Sequence, residues 1–364
     1  MSFVCLNDFQ NAAFKLIPKN ALDYYKSGAG DELTLRLNQT TWDKIRIRPR
    51  ILRDVTTRDL STNVLGLNLS MPLGIAPTAM QRMAHPDGEI ANAKAAGKCG
   101  IVFTLSTIAT SSIEELGENA PNTLKWFQLY IYKDRELTRN LVKRAEKANF
   151  KALVLTVDAP IFGLRRADMR NKFTLPSHLS LANFSGDKAM GVKSKGGSGI
   201  NEYVTSQFDP SLTWDDVIWL KSISKLPLIL KGILTAEDAI LAADAGVDGI
   251  IVSNHGARQI DSTPSTIEAL PEISKAVGHR VTVMLDGGIR QGTDIFKALA
   301  LGAKLVFIGR PAIWGLSIDG EKGVEKVIEI LRKELDVTMT LMGCTKISDI
   351  TRDMVVHENN YSKL

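Results

Sequence analysis

Eight short apolar runs, each followed by a turn signal and a helix-like stretch, predict one α/β domain built as a (β/α)8 barrel. Two further features agree. The runs are rich in Val, Ile and Leu on both faces rather than alternating, as fully buried parallel strands are. The chain has 364 residues, which suits one such barrel with insertions, and 44% hydrophobic with 23% charged residues is an ordinary globular balance with ample core. A doubly wound open sheet is the alternative arrangement of the same alternation.

In chain order the runs are 73–77, 101–106, 126–131, 152–157, 227–231, 249–253, 281–285 and 305–308. Helical patterns lie between them, for example at 136–148 and 236–245. Another, 292–300, opens on Thr293 and Asp294 and stops before Gly302. A last amphipathic helix is expected at 323–334. Residues 1–70 precede the first strand; they look helical at 8–15 and 21–27, irregular afterwards, and are expected to cap one end of the barrel. After the fourth strand comes a long insertion, 159–212, rich in Gly, Ser and Lys at 191–199. Leaving the C-terminal face, where barrel active sites sit, it is expected to be a mobile lid. The helix beyond it begins at Trp214 with Thr213 as its N-cap.

Several function classes fall away. The formal charge of +5 is spread along the chain, with no Lys/Arg block of the kind that binds nucleic acid. Cys5, Cys99 and Cys344 are an odd, scattered set, neither a disulfide framework nor a zinc site, so no metal is expected. Residues 1–20 lack a secretory pattern, and no apolar run approaches the ~20 residues of a membrane helix, so a soluble protein is expected. Gly28-Ala29-Gly30 lacks a third glycine and a preceding strand, so it is no dinucleotide fingerprint. The chain closes on Ser362-Lys363-Leu364, a receptor-read peroxisomal address, which predicts a peroxisomal protein and its import receptor as a partner.

The chemistry concentrates where strands end. The seventh runs into Asp286-Gly287-Gly288-Ile289-Arg290 and the eighth into Gly309-Arg310-Pro311. Either could be a tight turn with a solvated arginine. Together, at the seventh and eighth positions, they predict a phosphate site built from close backbone N–H groups and two guanidinium forks. The fifth strand ends on Lys231, which can neutralise an anion or form a Schiff base. The sixth ends on Ser253-Asn254-His255-Gly256-Ala257-Arg258; of five histidines His255 alone terminates a strand, where a general base belongs. Arg258 suggests a carboxylate partner. The fourth ends on Thr156-Val157-Asp158, with Arg165 and Arg166 beyond, and Asp158 is placed to support the histidine. The third ends on Gln128-Leu129-Tyr130. A lone phosphate pocket favours a mononucleotide or a phosphorylated substrate.

The run Ser253 to Gln259 resembles the signature of the FMN-dependent 2-hydroxy acid oxidases, the glycolate oxidase family. So do Asp23-Tyr24-Tyr25, Ala76-Pro77-Thr78-Ala79-Met80, Gln128-Leu129-Tyr130, Leu155-Thr156-Val157-Asp158, Leu285-Asp286-Gly287-Gly288 and Ile308-Gly309-Arg310-Pro311, so the resemblance covers nearly the whole chain. It implies FMN as cofactor and oxidation of an (S)-2-hydroxy acid, either glycolate or a medium- or long-chain acid, to the 2-oxo acid, with O2 reduced to hydrogen peroxide. Tyr24, Arg165 and Arg258 would bind the substrate carboxylate and Tyr130 the hydroxyl region. His255 would take a proton from the substrate, with Asp158 stabilising the imidazolium. Lys231 would stabilise negative charge at the flavin N1–O2 edge. Pro77, Thr78, Ala79, Ser106, Gln128, Thr156 and Ser253 would line the isoalloxazine and ribityl chain. Asp286, Gly287, Gly288, Arg290, Gly309 and Arg310 would hold ribityl and phosphate. Family members are usually homotetramers or octamers.

One position departs. Similar glycolate oxidases carry a tryptophan where this chain has Ile108. Losing the indole removes bulk and a donor near the substrate tail, so a roomier pocket admitting medium- or long-chain acids is expected, with Phe162 partly refilling it. Two other reactions stay open at this stage: a dehydrogenase passing electrons to an acceptor other than O2, and, more remotely, a barrel lyase using Lys231 as a Schiff base.

Overall fold

The computed structural model describes residues 3–184 and 198–361. Eight parallel strands close into a barrel in sequence order, the last pairing with the first. They are β1 (Leu73–Ile75), β2 (Val102–Leu105), β3 (Leu124–Leu129), β4 (Ala152–Thr156), β5 (Leu228–Ile233), β6 (Gly249–Val252), β7 (Thr282–Asp286) and β8 (Leu305–Ile308). All eight expected runs are strands, and the open sheet is excluded.

Side chains alternate along a strand, so every second residue enters the barrel. The inward set starts apolar: Val102, Trp126, Val154, Ile229, Ile251, Met284 and Phe307 share one buried cluster. Two residues further along the same strands stand Thr104, Gln128, Thr156, Lys231, Ser253, Asp286 and Gly309. The lining thus turns from apolar to polar at one level around the barrel, and that level is the floor of the site. The opposite end is plugged by an antiparallel hairpin, Thr62–Val64 with Leu67–Leu69, whose Val64 and Leu69 join the apolar cluster.

The N-terminal segment therefore serves both ends rather than one. Its helices α1 (Leu6–Leu16), α2 (Lys19–Lys26) and α3 (Leu33–Thr40) precede that hairpin, and α2 delivers Tyr24 and Tyr25 to the upper rim. Helix α3 lies in the stretch expected to be irregular. Leu33, Leu35 and Leu37 alternate like a strand, while the face it buries carries Thr34 and Asn38, so no apolar helical stripe announces it. Ile45–Ile47 pairs with Val355–His357, tying the two ends of the chain together.

Helices Trp214–Ile223 and Gly292–Ala300 begin where expected; Asp216 accepts from the Thr213 N–H at 2.8 Å, and Asp294 from the Arg290 and Gln291 N–H groups at 2.9 and 3.0 Å. The final helix is longer than expected, Arg310–Leu341, and breaks at Asp319 and Gly320. The insertion contains helices Arg166–Arg170 and Gly199–Gln207. Most of the Gly/Ser/Lys stretch and Ser362-Lys363-Leu364 lie outside the described residues. Among the described residues no helix is long and apolar enough to cross a membrane.

Candidate active site

The C-terminal ends of the strands surround one cleft. Of the residues singled out from sequence, it is lined by Tyr24, Pro77, Thr78, Ala79, Ser106, Ile108, Gln128, Tyr130, Thr156, Arg165, Lys231, His255, Arg258, Asp286, Gly309 and Arg310. A second depression, lined by Gly287, Gly288 and Arg290, shares Ala76, Gly256, Asp286, Gly309 and Arg310 with the first, so the two are continuous. Asp158 and Ser253 stand behind this surface, Asp158 bonded to His255 and Ser253 to Lys231.

His255 Nδ1 and Asp158 Oδ1 lie 2.9 Å apart. With Nδ1 so engaged, Nε2 is the ring nitrogen left for chemistry. The pair bridges the ends of β4 and β6 and must pass over β5, which lies between them. Gly232, at the end of β5, makes this possible. Its φ is +115°, and a Cβ there would stand 2.6 Å from both Cβ and Cγ of Asp158. The register also slips between Lys231 and Ile233, turning the strand end aside. Burial pushes the His255 imidazole below its ordinary value; Asp158 opposes this, while Lys231 and Arg165 add to it. Burial would raise the Asp158 carboxyl, but His255 and Lys231 hold it below the usual range. At neutral pH the pair is thus a neutral imidazole beside a carboxylate, a base ready to accept a proton and a charge ready to stabilise the product.

Four arginines supply the field. Arg165, 1% exposed, stacks on the Phe162 ring at 4.5 Å, and Arg258 stacks on Tyr24 at 4.6 Å. Burial pushes Arg165 down to about 10, with Arg258 contributing; burial does the same to Arg290, about 10, and to Arg310, about 9, the latter also through Arg258 and Arg290. Even so lowered, Arg165, Arg290 and Arg310 stay charged at pH 7. Their fixed ends are held by backbone carbonyls: Arg310 donates to Tyr25, Gly256 and Ser27 at 2.8–3.0 Å, Arg258 to Tyr24 and Ser27, and Arg290 to Ile289. Neutral acceptors orient the guanidiniums without cancelling their charge. Arg165 and Arg258 stand with His255 and Tyr130; Arg290 and Arg310 stand at the far end, where the Arg310–Leu341 helix turns its N-terminus to the cleft. The arrangement has the chemistry for two anions, one beside the base and one remote. Burial and Asp158 push the Tyr130 phenol well up, so it remains a hydrogen-bond donor at neutral pH.

Lys231 is 4% exposed; its ammonium lies 3.0 Å from Ser253 Oγ and 3.3 Å from Asp286 Oδ2. A lysine so held has its side chain fixed on the cleft floor. The other oxygen of Asp286 is buried without a hydrogen-bond partner, an acceptor aimed at a hydroxyl. A cleft with a lysine and the Gln128 amide among its lining, an orphan acceptor further along, and two half-buried arginines at a helix N-terminus fits a flavin ring, a polyol chain and a phosphate, the parts of FMN. A more capacious cavity of about 700 Å³ lies beyond Tyr130 and Thr156, but neither an arginine nor a lysine lines it.

Sequence reasoning assigned no role to five contributors. Tyr25 donates to the Met80 carbonyl at 2.7 Å and accepts from Arg310 through its own. Asn38 and Asn254 exchange two amide hydrogen bonds of 2.8 Å, locking α3 to the His255 loop. Gly232 and Gln259 position the base and Arg165. Gly232 and Asn254 lie within or beside runs already singled out, but their importance depends on which loops meet in space.

Comparison with known proteins agrees with this reading. The model of the FMN-dependent dehydrogenase family matches residues 13–357. Glycolate oxidase 3 of Oryza sativa subsp. indica and the glycolate oxidase of Spinacia oleracea are each 51% identical over 355 residues, 98% of this chain and 96% of theirs. A crystal structure of mandelate oxidase with (S)-4-hydroxymandelic acid superposes with a TM-score of 0.92 at 40% identity, covering 96% of this chain and 98% of that one. Identity of this order over the full length carries the cofactor with the fold: this chain belongs to the FMN-dependent dehydrogenase family and is an FMN-dependent oxidoreductase.

Proposed function

We propose that the protein oxidises (S)-2-hydroxy acids to 2-oxo acids. The observation that carries this reading is the grouping of Arg165, Arg258, Tyr24 and Tyr130 around His255 on one wall of the cleft. Two guanidiniums and a phenol suit a carboxylate, and the base stands beside it, where the carbinol of a 2-hydroxy acid would lie. The relatives named for glycolate and mandelate oxidation act on substrates of this class. When bound, FMN supplies the two-electron acceptor.

The carboxylate pairs with Arg165 and Arg258, which fixes the acid end and presents the 2-position to His255. Nε2 removes a proton from the substrate, and Asp158 stabilises the imidazolium that results. Lys231 places positive charge where the oxidation delivers negative charge. Pro77, Thr78, Ala79, Ser106, Gln128 and Thr156 would hold ring and ribityl chain, with Ser253 behind them bonded to Lys231; Asp286, Gly287, Gly288, Gly309, Arg290 and Arg310 would hold ribityl and phosphate.

Ile108 is 2% exposed and faces this cleft, so the substrate tail meets an aliphatic surface. Medium- and long-chain acids are accordingly the preferred substrates. A kcat/KM series from glycolate to 2-hydroxyoctanoate tests this: values rising with chain length support it, and a steep preference for glycolate sinks it. Dioxygen is the electron acceptor, leaving as hydrogen peroxide; peroxide yield with and without an artificial acceptor separates an oxidase from a dehydrogenase. The C-terminal Ser362-Lys363-Leu364 directs the chain to the peroxisome, where a peroxide producer belongs, and a fluorescent fusion with and without those residues tests it. The assembly is a homotetramer or octamer, measurable by light scattering.

A further inference from the structure

We propose that Gln259 is a positioning residue that fixes Asp158 and Arg165 together against the His255 loop. The inference rests on the reading of Arg165 as a carboxylate ligand.

The argument is the use made of one primary amide. Nε2 donates to the carbonyls of Asp158 at 2.8 Å and Ile161 at 2.9 Å. Oε1 accepts from the Gly163 N–H at 3.1 Å and from Arg165 Nη2 at 3.2 Å. Two donors and two acceptor positions are all that such a group offers, and all are engaged. Every partner lies in the loop after β4, whereas Gln259 belongs to the loop after β6, four residues beyond His255. The backbones meet closely beneath it: a Cβ on Gly163 would stand 2.1 Å from the Gln259 carbonyl and 2.5 Å from that of Arg258, and the Arg258 carbonyl accepts from Arg165 Nε at 3.2 Å. With the His255–Asp158 hydrogen bond, these contacts close a ring. Asp158 is held at its carboxylate by His255 and at its carbonyl by Gln259. The base–acid pair and the anion-binding guanidinium therefore share one brace.

The chemistry of the brace matters as much as its geometry. A carboxylate here would also hold Arg165, but it would neutralise the charge the substrate needs and face two carbonyl oxygens without donors. A neutral amide orients Arg165 and leaves its charge available.

Two variants of near-constant volume separate these roles. Q259E keeps the acceptor and adds charge; Q259M removes every hydrogen bond. The test is calorimetric titration of the purified, FMN-loaded protein with oxalate, a carboxylate probe that needs no turnover, together with KM, kcat and the melting temperature. Oxalate Kd should rise about tenfold or more in both, the scale of one hydrogen bond to a charged group. Both variants take away the donor to the Asp158 carbonyl, so kcat should fall in both; in Q259E, which also neutralises Arg165, KM should rise further than in Q259M. Variants that fold and bind oxalate within twofold of the parent overturn the proposal, even if their melting temperature drops, because a merely structural residue would do that. Each variant decides alone should the other fail to fold. A parent protein that binds no oxalate overturns the carboxylate-site reading itself, and this inference with it; a parent that binds with unaltered variants overturns only the role of Gln259.

Discussion

Replacing Gly232 with alanine should disable the base without touching it. The added Cβ would lie 2.6 Å from Cβ and Cγ of Asp158. Carbon atoms rest at roughly 3.5–4.0 Å, so one group must yield by about 1 Å. The methyl cannot move away, because β5 is fixed in the barrel between β4 and β6. Asp158 must therefore retreat, and a retreat of about 1 Å opens its 2.9 Å bond to His255 to roughly 3.9 Å, beyond hydrogen-bonding range. A hydrogen bond to a charged group contributes about 1.5–3 kcal/mol, so kcat should fall about tenfold to a hundredfold. The φ of +115° adds strain of order 1–3 kcal/mol, which lowers the melting temperature. The assay is the rate of flavin bleaching by substrate without oxygen, with KM and melting measured in parallel. A double-mutant cycle sharpens it: in a D158N background, G232A should lower kcat little further, since the contact it breaks is already lost. A folded G232A protein with kcat within twofold of the parent, or full additivity with D158N, would refute the idea that Asp158 reaches His255 only across a bare strand end.

The remaining expectations follow from the same geometry. In D158N, kcat should fall about tenfold to a hundredfold. The acid limb of its pH–rate profile should also move to lower pH, because Asp158 raises the His255 value against burial; a limb that moves up would contradict the assignment. R310M should loosen FMN about tenfold or more, read as flavin fluorescence released on dilution, whereas undiminished retention would remove the phosphate role. I108W should lower the ratio of kcat/KM for 2-hydroxyoctanoate over glycolate by about tenfold or more, and an unchanged ratio would free Ile108 from any part in chain-length choice.

The barrel and most of its site were legible because strand periodicity does double duty. Once 152–157 and 249–253 are strands with Val154 and Ile251 facing in, Thr156 and Ser253 must also face in, and Asp158 and His255 continue the same side of the chain beyond the rim. Arg290 and Arg310 were legible for a related reason, standing just past β7 and β8. What escaped was whatever depends on two distant segments meeting. Helix α3 buries Thr34 and Asn38, so the pattern that betrays an amphipathic helix is absent. The Asn38–Asn254 exchange joins residues far apart in sequence, and neither alone signals the other. Gln259 was visible only as part of a motif, because its four partners lie in another loop. The break at Asp319 and Gly320 likewise follows from packing: Gly315 and Gly323 approach so closely there that a Cβ on Gly323 would stand 2.0 Å from the Gly315 carbonyl.

The most direct test of the account is the visible spectrum of the purified protein. It should show bound flavin, bleach when 2-hydroxyoctanoate or glycolate is added without oxygen, and recover in air with release of hydrogen peroxide. A flavin that no 2-hydroxy acid can bleach would contradict the assignment of Arg165, Arg258 and His255 to that substrate class.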